Sequence, residues 1–256
     1  MSNETLYHFF PRKFIDIDSV MNILESMFEN GIFLSKETLN VPWKDHFGKN
    51  LNRVLHSEQY RFCLTAITNN EELINHSQKF GCIGIEFDTN FIAKLGGFPV
   101  FYVPAPHLES NDTDDYKGIS LLYRIADAKE LLEYIIENKI LVSEDIDIEN
   151  TLGALRFLGN ICYPTQRKTS NSESNYYAQR EWRIIYGLTS KKAVIKKYNE
   201  NYTLSAFDDI PIYNFINKII VHNFNQSNSN TLIVLQEKIK QLLNRYNHNI
   251  TVQYLK

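Results

Sequence analysis

The apolar residues of this 256-residue chain switch period repeatedly, from two to about 3.6 and back, and this switching most constrains the fold. Thr5-Leu6-Tyr7-His8-Phe9-Phe10 alternates and reads as a strand ended by Pro11. Asp16 or Asp18 is placed to cap a helix running to about Glu29, with Val20, Ile23, Leu24, Met27 and Phe28 on one face. Asn30-Gly31 stops it, because glycine suits the left-handed residue after a helix. Residues 32–34 are a short extended piece. From 35 to 59 the pattern dissolves, which predicts a long mobile or functional loop.

Strand patterns return at 60–65, 81–88 and 99–104, with short helices predicted from Asn69 or Asn70 to His76 and over 90–95. In the 81–88 strand, Ile83, Ile85 and Phe87 mark the buried face. The longest internal helix is predicted over 119–138, after an acidic loop at 107–117, and a Ser-rich mobile loop over 165–175. Further strands are expected over 182–188, 218–222 and 250–255, with a helix capped by Asn230 between the last two. Strands with irregularly spaced helices imply an α+β fold rather than regular βαβ winding. At roughly 150 residues per domain, the length fits a single domain, 1–256, with a mostly helical, acidic insert at about 105–165.

Charge divides the chain unevenly. The formal net charge is −3, yet residues 109–150 hold twelve acidic and four basic side chains, while 190–256 hold nine basic and four acidic. The basic residues are dispersed except for Lys191-Lys192 and Lys196-Lys197, which reads as a solvated loop or helix rather than a duplex-binding stripe. Three cysteines, Cys63, Cys82 and Cys162, lie far apart without a CxxC pair, so each is expected to be a small buried hydrophobe. No apolar run reaches the length of a membrane-spanning helix and the N-terminus lacks a signal pattern, so a cytoplasmic protein is expected. Walker, G-x-G-x-x-G, G-x-S-x-G and H-E-x-x-H motifs are absent, and the seven histidines show no metal-ligand spacing.

Three local groups remain as candidates for chemistry. On the opening strand His8 shares a face with Leu6 and Phe10. Its imidazole either donates to a ligand hydroxyl or is half-buried and satisfied by backbone. In Gln179-Arg180-Glu181-Trp182-Arg183, period two puts Gln179, Glu181 and Arg183 on one face and Arg180, Trp182 and Ile184 on the other. That first face either steadies positive charge in a transition state or is a solvated Glu–Arg pair worth little. Gly96-Gly97-Phe98-Pro99-Val100-Phe101-Tyr102 either brings an aromatic against a planar ring or is a tight turn into a core strand.

The order of these segments carries a resemblance. Tyr7-His8-Phe9, the helix ending in Asn30-Gly31, Arg61-Phe62-Cys63-Leu64-Thr65, His76, the 81–88 and 97–102 strands and Tyr176-Tyr177-Ala178-Gln179-Arg180-Glu181-Trp182-Arg183 recur in the order seen in AbiGi-type abortive-infection proteins of bacterial phage defence. The similarity spans about residues 6–188, and the chain departs by carrying Gln179 where that family usually shows Glu. It also resembles, more weakly, DarT-type and RNA-phosphotransferase-like ADP-ribosyltransferases. That resemblance implies two small, mostly antiparallel sheets around a cleft, peripheral helices, and NAD as substrate. By it, His8 binds ribose with Phe9 beside it, and Phe101 or Tyr102 stacks on nicotinamide. Arg61 clamps pyrophosphate alongside Arg183, and Glu181 is catalytic with Gln179. The implied acceptor is a protein or nucleic acid. The AbiGi resemblance instead implies a non-catalytic antitoxin or regulator that binds a partner toxin or another defence protein. An RNA-processing enzyme on the same fold is a third reading.

Overall fold

The computed structural model describes residues 5–11, 16–44, 50–105, 117–140, 147–166, 180–222, 229–246 and 249–255. Contacts divide the chain into two compact units. The first comprises residues 1–37, 59–98 and 181–256, the second 38–58 and 99–180.

The first unit is built on β1 (Thr5–Phe10), β4 (Ile83–Asp88), β12 (Ile216–His222) and β13 (Thr251–Leu255), which lie side by side in that order. On the other side of β1 lies β3 (Asn50–Ile67), which also pairs with β8 (Glu181–Ile185). Among the described residues these strands belong to one mixed, largely antiparallel sheet of eleven strands, with β2 (Ile32–Lys44), β9 (Ala193–Tyr198) and β10 (Asn201–Phe207) continuing it beyond β3. The α+β class holds. The strands group as this one broad sheet plus a parallel pair, β6 (Phe101–Ala105) and β7 (Cys162–Gln166). A helical crossover, α6 (Ser229–Arg245), also joins β12 and β13, which pair in parallel.

Both faces of the central strands are covered. Leu6, Phe62, Leu64, Ile85, Phe87, Ile219 and Val221 face a core completed by Val20, Leu24 and Met27 of α1 (Ile17–Asn30) and by Leu235, Ile239 and Leu242 of α6. Tyr7, Phe9, Ile67 and Ile220 face the opposite way, where Leu73 of α2 (Asn70–Phe80) packs on them. β4 is therefore buried on both faces, not on the Ile83–Ile85–Phe87 face alone. Two of the expected caps form: Asp16 and Asn69 accept backbone N–H groups of Ser19 and Glu72, whereas Asn230 lies within the first turn of α6. Gly31 ends α1 at φ 93°, with backbone so close that a Cβ there would lie 2.1 Å from the Leu204 carbonyl oxygen.

Residues 35–44 and 50–59 are not a loop: they lie in β2 and β3. Four successive polar residues, Ser35-Lys36-Glu37-Thr38, and Pro42 hide the strand from periodicity; Ile32–Leu34 pair with Tyr202–Leu204, and β2 lies beside β3 in the sheet. Lys196 and Lys197 sit on β9, not on a loop or helix, and lysines on a strand with one described neighbour discourage stray pairing.

Within the second unit, α4 (Lys117–Glu137) packs against α5 (Ile148–Ile161), which leads directly into β7. Arg156 of α5 reaches Glu133 of α4 at 2.9 Å. The acidic 107–117 loop, apart from Lys117 at the start of α4, and most of the 165–175 loop lie outside the described residues; 165 and 166 end β7. Among the described residues no helix is long and apolar enough to cross a membrane.

Candidate functional site

β1 stays paired with β4 along its whole length, through Phe10↔Ile83, but with β3 only as far as Tyr7↔Thr65. Beyond that point, while β8 runs along the opposite edge of β3 from Arg61 to Thr65, β1 and β3 part. In the first unit a cavity of about 790 Å³ lies where they separate. Its lining includes His8, Phe9 and Phe10 of β1, Arg61, Phe62 and Cys63 of β3, Asn22 and Ser26 of α1, and Phe33, Ser35, Lys36 and Glu37 of β2.

His8 closes the fork. Its Nδ1 lies 2.8 Å from the Cys63 carbonyl oxygen and its ring centroid 4.2 Å from that of Phe62. A carbonyl can only accept, so Nδ1 carries the proton and Nε2 is the acceptor of the neutral ring. The backbone-satisfied histidine and the ligand-facing one are thus the same side chain: one nitrogen is held by the chain while the residue lines the cavity. Phe9 also lines it, but its ring rests on Gly84, where a Cβ would come within 2.5 Å, and faces His76 of α2 at 5.3 Å. Burial, helped by Lys79 and His8, pushes His76 down to about 4, so it is neutral at pH 7.

Arg61 forms an ion pair with Glu37 inside the cavity. Glu181 and Arg183 share a strand face, as their spacing requires, and Arg183 Nε donates to Glu181 Oε1 at 2.7 Å. They do not make a solvated face, because the Arg183 side chain is 1% exposed and that of Glu181 13%. Trp182 and Ile184 pack on the opposite, core side, as expected. Neither Glu181 nor Arg183 is among the lining residues; the connection runs through Cys63, which lies opposite Arg183 in the β3–β8 register, lines the cavity and hydrogen-bonds Glu181. Burial first, then the Glu181 carboxylate, pushes the Cys63 thiol up to about 11, so it stays protonated. Cys82 and Cys162 are buried as expected, whereas Cys63 is only half-buried.

The structure therefore gathers His8, Phe9 and Arg61 around one cavity and sets Glu181 and Arg183 one strand away. Phe101 and Tyr102 belong to the second unit, on β6, where Phe101 is exposed. Gln179 lies outside the described residues. Lys36, Glu37, Phe62 and Cys63 were not anticipated as lining. Asn22 and Ser26 lie on the polar face of α1, with Ser19 and Asn30, so nothing in their spacing sets them apart from an ordinary solvated face. Next to this site Tyr7 donates to Glu86 at 2.7 Å, and Glu86 pairs with Lys218 at 3.0 Å; burial and the Glu86 carboxylate hold the phenol above its ordinary range. Among the described residues no three His, Cys, Asp or Glu side chains gather to hold a metal ion. Comparison with family models, curated proteins and solved structures gave no significant match.

Proposed function

We propose that the cavity beside β1 binds a dinucleotide of the NAD type and that the chain transfers or hydrolyses its ADP-ribosyl group, acting in bacterial phage defence. One observation carries the reading: a histidine of fixed tautomer, a guanidinium and the rings of Phe10, Phe33 and Phe62 line a single cavity of about 790 Å³. That is a size suited to a small-molecule ligand, with few polar groups to orient it. The Nε2 of His8 accepts from a ribose hydroxyl, Arg61 faces phosphate, and the rings flank a base. The defence setting is supported by the segment order, as is the ADP-ribosyltransferase-like arrangement, with His8 on the first strand and Glu181 on a late one. In that chemistry the C1′–nitrogen bond of the nicotinamide riboside breaks and its electron pair leaves with nicotinamide. Water or an acceptor then adds to C1′ and loses a proton. The Glu181 carboxylate steadies the positive charge that builds on the ribose.

A binding role without catalysis, as an antitoxin or regulator of a partner toxin, is favoured by a different observation: the Glu181 carboxylate is committed to Arg183 and contributes nothing to the cavity lining.

NAD consumption, ADP-ribose incorporation into cell extract and calorimetric NAD binding separate the two. For the enzyme, Glu181→Asp keeps a charge for Arg183 but shortens its reach. It should lower turnover on the order of 10²-fold while changing NAD affinity little, and His8→Ala should weaken NAD binding itself. Wild-type protein that neither binds nor consumes NAD, yet forms a tight complex with the product of a neighbouring gene, decides for the binding role.

A further inference from the structure

The cavity lining carries two cations, Lys36 and Arg61, and one carboxylate, Glu37, which is ion-paired with Arg61. The partners differ in freedom: the Arg61 side chain is 11% exposed and that of Glu37 35%. The guanidinium is thus the fixed member and the carboxylate the movable one. A guanidinium offers carboxylate and phosphate the same planar fork of donors, so both compete for one place. Lys36 precedes Glu37 directly in β2 and also lines the cavity, so the strand brings a second cationic residue to its border.

From this geometry we infer that Arg61 and Lys36 form a phosphate-type anion subsite in which Glu37 is an internal stand-in, displaced when an anionic ligand enters. The inference rests on the nucleotide reading only for the identity of the natural ligand. Glu37 tunes affinity by competition: it lets the buried guanidinium remain paired while the cavity holds no anion and discriminates against ligands too weakly charged to displace it.

Calorimetric titration of the full chain tests this, with inorganic pyrophosphate, ADP-ribose and uncharged adenosine as probes. Glu37→Gln should tighten pyrophosphate and ADP-ribose roughly tenfold at low salt, with the gain shrinking as salt screens the charges, and should leave adenosine unchanged. Glu37→Asp, which keeps the charge, should behave like wild type, and Glu37→Ala repeats the test should the glutamine variant fold poorly. Arg61→Ala and Lys36→Ala should each weaken both anions. Weaker or unchanged anion binding by Glu37→Gln and Glu37→Ala overturns the stand-in role, as does absence of pyrophosphate binding in every variant. Pyrophosphate binding that responds to Glu37 while neither ADP-ribose nor adenosine binds would sustain the anion subsite and reject the nucleotide reading.

Discussion

At the scale of single residues, burial changes what two side chains mean. Glu181 and Arg183 have the spacing of an exposed strand face, where a pair contributes little. Because Arg183 is almost fully buried, the pair cannot lose one member cheaply. Glu181→Gln should destabilise the protein by about 3 kcal/mol, as for other buried pairs left with one charge, where a solvated pair predicts less than about 1 kcal/mol. Urea denaturation measures the difference, and a value under 1 kcal/mol would show that Arg183 is satisfied by its other surroundings. His76 supplies a pH dependence. Its folded value of about 4 lies below the ordinary 6.5, so between these limits the unfolded chain binds more protons than the native one. Stability is then present above pH 6.5 and lost as pH falls toward 4, by on the order of 3 kcal/mol. His76→Phe should flatten that part of the curve, and an unchanged acid limb would assign the loss to other groups.

At the scale of elements, the helices owe their ends to short-range chemistry and the strands owe theirs to partners. Asp16 and Gly31 bracket α1, and each does so through backbone atoms that a local pattern can anticipate. Gly31 has a second duty: its positive φ and the Leu204 carbonyl both exclude a side chain. Gly31→Ala should cost roughly 2–3 kcal/mol, the scale of backbone strain plus a forced shift, measured as a fall in the urea midpoint. A loss below about 1 kcal/mol would mean that β10 yields easily. β2 shows the opposite dependence. Its polar run has no apolar stripe to anchor it and lies beside β3, while its opening residues, Ile32–Leu34, take their register from Tyr202, Thr203 and Leu204 of β10.

At the scale of the whole molecule, the last strand completes the sheet on which the cavity stands. β13 joins β12 in parallel, and α6 crosses between them to complete the core over α1. Ile219, Ile220 and Val221 of β12 are fully buried with β13 in place. Ending the chain before Thr251 would bare one edge of β12 and remove the buried Leu255. Such a truncation is expected to abolish the cooperative urea transition, or at least to cost more than about 4 kcal/mol, a loss reserved for gross defects in the core. A transition retained within 1 kcal/mol of the full chain would make β13 an ornament of the sheet.

Elements whose pattern or ends are set locally could be read from the chain alone: β1, α1 with both caps, β8 with Trp182 and Ile184 inward, α6 and β13. Their periodicity and caps depend on residues within a few positions of each other, and so does the fact that Glu181 and Arg183 share a face. Three things depended on distant partners. The polar part of β2 and the early part of β3 are strands because they are neighbours in the sheet, not because of any apolar period of their own. Arg183 is buried because the surrounding fold covers its face. The cavity exists because β1 and β3 part after Tyr7, which leaves His8, Arg61 and Glu37 around one space. Cross-strand register and burial are set by the far ends of the chain meeting, and no local period encodes which strands meet.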